Sequence, residues 1–325
     1  MLDMDAIWQQ LDKALATVDL DWPHPRQRGK VRESFSLPGG RRLLVATDRL
    51  SAFDRVLAVI PFKGQVLNEL SAFWFERTAD IIPNHLMAVP DRNLSLVWEC
   101  RPLPVEVIVR GYISGVTKTS LWTLYAAGER HVYGYDLPEG LRKNDALPEP
   151  LITPTTKARP GQHDERLTCT EVVERGLVDA QTWEVIAAAA RALFRRGQEV
   201  AGAAGFVLVD TKYEFGRGVD GKLMLIDEVH TPDSSRFWGV EGLAEAQRSA
   251  GEPEHWDKEF VRLWYAAQGY RGDGEPPTLP EEIVVEMARR YVALYEGLTG
   301  KSFQPAPNPA GARVAGVLRS FLRAG

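Results

Sequence analysis

Cysteine is almost missing from this chain: Cys100 and Cys169 are the two in 325 residues. Two cysteines build no disulfide framework, and their spacing matches no metal-ligand pair, so reduced thiols in the cytoplasm are expected. A strong charge of one sign is missing too. The formal net charge of −5 gives no electrostatic basis for nucleic acid as the main partner. No apolar run approaches the length needed to cross a bilayer, and the opening MLDMDAIWQQLDKAL is too acidic and amphipathic for a signal peptide. There is no P-loop, no kinase-type G-x-G-x-x-G-x-V loop, no His-Arg-Asp catalytic loop and no Ser/His/Asp or Cys/His nucleophile signature. Repeats and low-complexity tracts are lacking as well. With 44% hydrophobic and 26% charged residues, what remains is a globular chain long enough for two domains sharing one large interface, or one domain with extensions.

The densest chemistry lies in residues 206–238, FVLVDTKYEFGRGVDGKLMLIDEVHTPDSSRFW. Phe206-Val207-Leu208-Val209 has the composition of a buried strand. The strand then alternates, placing Asp210, Lys212 and Glu214 on one face and Thr211, Tyr213 and Phe215 on the other. Asp220-Gly221 is a strong signal for a two-residue hairpin turn into Leu223–Ile226. With those two residues at the turn, partner numbers sum to 441 and Glu214 lies opposite Asp227, Cβ atoms roughly 5 Å apart. Two carboxylates so placed repel unless a cation sits between them or one stays protonated. The ordinary reading is a solvated hairpin face. Here the flanking buried strand, Lys212 on the same face and Arg236 in a polar turn favour Mg²⁺ held by Glu214 and Asp227, with Lys212 against a metal-bound phosphate.

Other segments add candidates. Residues 3–18 predict a surface helix. Gly29–Phe35 and Arg42–Thr47 predict a hairpin across Pro38-Gly39-Gly40, in which Lys30 and Arg32 can face a polyphosphate. A helix is expected over 65–79. Strands are expected over 94–100 and 105–109, with Arg101-Pro102-Leu103-Pro104 as a connector between lobes whose free backbone groups suit an adenine edge. The second strand delivers Glu106 and then Arg110, an anion-binding candidate before Gly111. Thr117–Ala127 predicts a helix, and 136–156 a long irregular loop of the kind that is commonly functional. His163-Asp164-Glu165 offers metal-ligating groups but is ordinarily a turn. Further helices are expected near 168–171, 179–204, 240–250, 257–268, 281–297 and 308–323, the last quarter serving packing.

Taken together, Gly29-Lys30-Val31-Arg32, Ser51-Ala52-Phe53-Asp54, Val109-Arg110-Gly111-Tyr112, Lys143-Asn144-Asp145, Thr153-Pro154-Thr155-Thr156-Lys157, His163-Asp164-Glu165, Asp210–Gly216, Asp227-Glu228 and Pro232–Trp238 closely resemble the phosphoribosylaminoimidazole-succinocarboxamide synthase (SAICAR synthetase) family. They span residues 28–238 in the family's order. The resemblance implies an α/β (α+β) two-lobe fold: a kinase-small-lobe-like β domain over 1–103, and an ATP-grasp-like lobe over 104–325 with C-terminal helices. It also implies a reaction in which ATP, the carboxyaminoimidazole ribonucleotide (CAIR) and L-aspartate give SAICAR, ADP and phosphate through an acyl phosphate. The residues alone leave a small-molecule kinase using Mg-ATP as the alternative. With the resemblance, Lys212, Asp210 and Arg110 are assigned to catalysis. Lys30, Val31, Arg32, Lys143, Glu214 and Asp227 are assigned to ATP and Mg²⁺. Glu106, Arg110, Glu149, Ser235 and Arg236 are assigned to substrate. The implied protein is a cytoplasmic monomer or homo-oligomer without nucleic-acid or membrane partners. One departure stands out: Val116 replaces the family's usual Ser, leaving Thr117 or Ser114 to take its place.

Overall fold

A computed structural model describes residues 2–116, 120–157, 164–249 and 251–323. The predicted first hairpin forms from Arg32–Leu37 and Arg41–Ala46, turning through Gly39 and Gly40, both at positive φ where a side chain would be strained. It sits in a five-stranded antiparallel sheet ordered Arg26–Arg28, Arg32–Leu37, Arg41–Ala46, Leu94–Trp98, Leu86–Asp91. Strand alternation divides the work of this sheet. Glu33, Phe35 and Leu37 turn inward, while Arg32 emerges on the other face. The inward face packs with Leu15, Val18 and the final helix, Ala310–Arg323, through Val314, Ala315 and Leu318. The chain's last helix thus returns to its first sheet.

The larger sheet is organised on two 12-residue strands, Arg101–Tyr112 and Phe206–Arg217, paired antiparallel. Ala146–Ile152 and Thr155–Thr156 flank the first; Leu223–Ile226 and Ser235–Gly239 flank the second. The expected proline connector is therefore strand. Pro102 and Pro104 are two apart, so their missing N–H groups fall on one edge. There, beside the short Thr155–Thr156 strand, the Lys157 amide donates to the Pro104 carbonyl at 3.2 Å, while the opposite edge keeps its ladder with Phe206–Arg217.

The hairpin register also differs from expectation. The loop holds five residues, closed by the Gly218 amide on the Lys222 carbonyl at 3.0 Å and the Gly221 amide on the Gly218 carbonyl at 2.9 Å. Glu214 consequently pairs with Ile226, and Asp227 lies just beyond the strand end.

Helix positions follow their caps. Thr168 and Glu171 form a capping box before Cys169–Glu174, and the Asp179 carboxylate caps Ala180–Ala203. In the first turn of helix Lys63–Arg77, any Cβ at Gly64 would collide with the Ala46 carbonyl oxygen. The expected first helix is broken into Met4–Trp8 and a short 3₁₀ turn, Leu11–Lys13, because Leu15 and Val18 leave it to join the small-sheet core. Within 136–156, expected to be irregular, Ala146–Ile152 forms a bulged strand. The predicted 117–127 helix is Leu121–Ala126, its start lying outside the described residues. No helix among the described residues is long and apolar enough to cross a membrane.

Leu318 is fully buried against the small sheet. Leu318→Ala should therefore destabilise the protein by about 2–4 kcal/mol in chemical denaturation. An unchanged midpoint would contradict the docking of the last helix there.

Candidate active site

Two rows of charged side chains cross the larger sheet. In the first, Asp210 pairs with Arg110 on one neighbouring strand and Arg236 on the other. Arg236 donates to the Asp210 carboxylate at 2.7 Å, Arg110 lies 3.6 Å from it, and Arg110 Nε also donates to the Thr153 hydroxyl at 2.9 Å. In the second row Glu214 pairs with Glu106. Like charges opposite one another are unfavourable, and Lys212 lies between the rows on the same face. Its ammonium contacts Glu214, reaches Glu106 at 3.2 Å and lies 3.8 Å from Asp227. Lys157 takes the other Glu214 oxygen.

Asp227 joins this cluster by a route that pairing alone does not predict. It has left-handed backbone, φ +70°, which returns its carboxylate toward Lys212. Arg32, reaching over from the small sheet, contacts Asp227 and holds Glu228 at 2.7 Å. Burial alone would raise the Asp227 pKa, but Arg32 first, then Lys212 and Lys157, hold it down at about 2. Burial dominates at Glu106 and raises its pKa against the pull of Lys212. Lys212 goes up despite burial because Glu214, Glu106 and Asp227 surround it.

A cavity of about 400 Å³ opens over this cluster. Its walls are Gly29–Arg32, Ser51–Asp54, Glu106, Lys212, Asp227, Glu228, Asp233, Ser234, Lys258 and Arg262. Lys30 pairs with Asp54 at 2.6 Å on its exposed rim, and the Val31 carbonyl accepts from the Thr47 amide and hydroxyl. Deeper down, fully buried Lys63 holds Asp233 at 2.8 Å, and the Tyr291 hydroxyl donates to the same carboxylate at 2.7 Å.

Three sequence-predicted residues sit elsewhere. Ser235 turns to the opposite face, where its hydroxyl bonds to Thr211 at 2.7 Å; strand parity makes Ser234 the cavity serine instead. Lys143 pairs with Glu252 beside a separate cavity of about 210 Å³ next to helix Val240–Ser249. Glu149 is exposed on the bulged strand, outside the charge network. His163 and Thr117 lie outside the described residues, and Glu165 pairs with Arg175 at 3.1 Å. Among the described residues no group of three or more His, Cys, Asp or Glu converges as a ready metal-binding set.

Conversely, the last quarter does more than pack. Lys258 and Arg262 enter the cavity, and Glu259 backs Arg236 at 3.7 Å. Burial lowers the Lys258 pKa to about 8 even with Asp233 nearby. The signal for these residues, a Lys and an Arg four apart at a helix start, is too common to single out. Lys157 was visible only as the end of the Thr-Pro-Thr-Thr-Lys motif.

Comparison with known proteins gives one answer. The family model for SAICAR synthetase matches residues 25–277. The chain is 49% identical over 286 residues to the phosphoribosylaminoimidazole-succinocarboxamide synthase of Legionella pneumophila, covering 87% of this chain and 90% of that one. It is 43% identical over 297 residues to the enzyme of the same name from Flavobacterium psychrophilum, covering 90% and 93%. Among solved structures, the SAICAR synthase of Saccharomyces cerevisiae complexed with SAICAR superposes with a TM-score of 0.75 at 31% identity, covering 90% of this chain and all of that one. The motif resemblance, the mixed α/β fold with antiparallel sheets and C-terminal helices, and the amide-forming chemistry agree, and the chain belongs to the SAICAR synthetase family of carbon–nitrogen ligases in purine biosynthesis.

Proposed function

We propose that this cleft makes the amide by ATP-driven activation of the CAIR carboxylate, followed by attack of the L-aspartate amine. The observation that carries the reading is the meeting of Glu106, Glu214 and Asp227 on one ammonium, Lys212, with Arg32 facing them from the other sheet. A carboxylate is a poor acyl donor. Transfer of the γ-phosphoryl group to a CAIR carboxylate oxygen gives an acyl phosphate and releases ADP. The amine then forms a bond to the acyl carbon, inorganic phosphate leaves, and the nitrogen gives up a proton. Both steps call for positioning and charge stabilisation more than for a protein nucleophile.

In this reading Lys30, Val31 and Arg32 border the ATP phosphates, and Lys212 faces the group in transit. Arg110 and Arg236, oriented by Asp210, hold an anionic end of the ribonucleotide, since guanidinium forks match phosphate and carboxylate. Cys100, Met224 and Ile226, an apolar cluster where the proline-containing strand starts, give the adenine a face to rest on. The donor set also fits Mg²⁺. Glu214 and Asp227 both present hard oxygens around the Lys212 ammonium, one in contact and one at 3.8 Å, and Mg²⁺ takes one or two protein carboxylates beside water and phosphate oxygens. Bound there, the ion would neutralise charge on the phosphates.

Three outcomes are expected. ADP release in a coupled assay should require both CAIR and L-aspartate for sustained turnover; release that ignores L-aspartate would mark a kinase. Asp227→Asn should lower turnover by ~100-fold or more while cooperative unfolding persists. Near-normal turnover in that variant would remove Asp227 from the metal. Lys258 bears on pH: it is a cation below about 8 and loses its charge as pH rises through that value, so ADP affinity should weaken above it. Titration calorimetry from pH 7 to 9 should show that slope in the wild type and a flatter one in Lys258→Gln. Equal slopes would place Lys258 outside the anion site.

A further inference from the structure

Residues 29–31 connect Arg26–Arg28 to Arg32–Leu37 and, with Arg32, form one wall of the cavity over Lys212. Every carbonyl of that wall is taken from within the protein. Arg49 Nε donates to the Lys30 carbonyl at 2.9 Å, and Arg49 Nη2 donates to that of Gly29 at 2.9 Å and to that of Arg32 at 3.4 Å. The Gly29 amide also reaches the Arg32 carbonyl, at 2.8 Å. The Val31 carbonyl accepts from the Thr47 amide at 3.0 Å and from the Thr47 hydroxyl at 2.7 Å. Thr47 is fully buried, Arg49 is nearly so, and neither belongs to the cavity wall. Oxygens that would repel a phosphate are thus drawn into the protein. Among the described residues the Lys30 and Val31 amides meet no protein acceptor, and successive backbone N–H groups of this kind suit an anion.

A buried guanidinium is costly unless its N–H groups are bonded, so the placement of Arg49 calls for a reason. Neutralising buried Glu33 does not supply it. Arg26 already holds that carboxylate at 2.7 Å and the Thr17 hydroxyl donates to it at 2.9 Å, whereas Arg49 lies 3.2 Å away. Most of its fork is spent on main chain: the three wall carbonyls and that of Ala16. We propose that Arg49, with Thr47, is a positioning residue for the nucleotide: the pair draws the carbonyls of residues 29–32 back, so that the wall offers its amides and the Lys30 and Arg32 side chains to the phosphates. The inference rests on the reading of residues 30–32 as the border of the ATP phosphates.

The test compares ADP and adenosine as competitive inhibitors against ATP in the wild type, Thr47→Val and Arg49→Lys. Val is nearly isosteric with Thr and removes one donor; Lys keeps a charge beside Glu33 but cannot fork across two carbonyls. The preference for ADP over adenosine should fall on the order of fivefold in Thr47→Val, the loss of one hydrogen bond, and at least as far in Arg49→Lys. Inhibition by adenosine and the KM for CAIR should keep their wild-type values. Thr47→Val decides the matter should Arg49→Lys fail to fold. Leu318→Ala, which loosens the same sheet without touching the wall, should keep the wild-type preference and so separates positioning from stability. Variants at 47 and 49 with the wild-type preference overturn the proposal. So does a weakening of ADP and adenosine by the same factor, or an equal fall in Leu318→Ala. A wild type that binds ADP no better than adenosine would instead sink the reading of this wall as a phosphate border, and the proposal with it.

Discussion

One lysine ammonium surrounded by three carboxylates is the interaction on which the site depends. Glu106 and Glu214 face each other across paired strands, and Asp227 is folded back toward them. Such a group of like charges in a half-buried cleft is tolerable only if cations are bonded to it, because desolvation makes an uncompensated charge costly. Lys212 lies at the centre, Lys157 takes the outer oxygen of Glu214, and Arg32 closes the cluster from the other sheet. The charge balance therefore does structural work as well. Arg32 and Asp227 are 195 positions apart in the chain, and their ion pair, with that to Glu228, ties the small sheet to the large one over the cleft. A polyphosphate entering here would exchange partners with groups already arranged in space, which is how an active site avoids reorganisation during reaction.

The two 12-residue strands convert a simple periodicity into a working surface. From Asp210 to Glu214 every second residue of Phe206–Arg217 faces the cleft, so Asp210, Lys212 and Glu214 arrive in sequence, while Phe206 and Leu208, before the register shift, pack into the core. Two environments follow along one strand: an arginine-rich end at Asp210 and a carboxylate-rich end at Glu214. Behind them lies a supporting layer of buried polar contacts. Lys63 and Tyr291 fix Asp233, the Thr231 hydroxyl donates to Glu228 at 2.6 Å, and the Tyr213 hydroxyl meets His230 Nε2 at 2.5 Å. These hold the Asp227–Ser235 segment against helices Lys63–Arg77 and Glu281–Thr299, so that its backbone cannot drift from the cleft.

Much of this was legible in the chain. Helices announced themselves by caps at Thr168 and Asp179, and the first hairpin by alternation around two glycines. The hairpin that carries Lys212 and Glu214 was half legible. Its strands and the cleft-facing set were correct, yet a five-residue loop replaced the two-residue turn and moved the register by one. A simple slip of that kind would send Asp227 to the wrong face. It does not, because Asp227 has left the ladder and turned left-handed. Ser235, assigned to substrate by the resemblance, faces away from the cleft: without knowing that Ser235–Gly239 is a strand paired with Phe206–Arg217, nothing in the sequence distinguishes it from Ser234.

The order of residues by itself determined the shared face of Asp210, Lys212 and Glu214, the helix starts at Thr168 and Asp179, and the family. These are matters of local stereochemistry and of motifs held within short stretches. Tertiary structure alone decided which carboxylates would share Lys212, that Lys157, Lys258 and Arg262 would join them, and that Lys143 would pair with Glu252 instead. The reason is physical. A side chain's direction is set by its own backbone, whereas its partners are set by how separate sheets and helices pack, and that packing is recorded in no single segment.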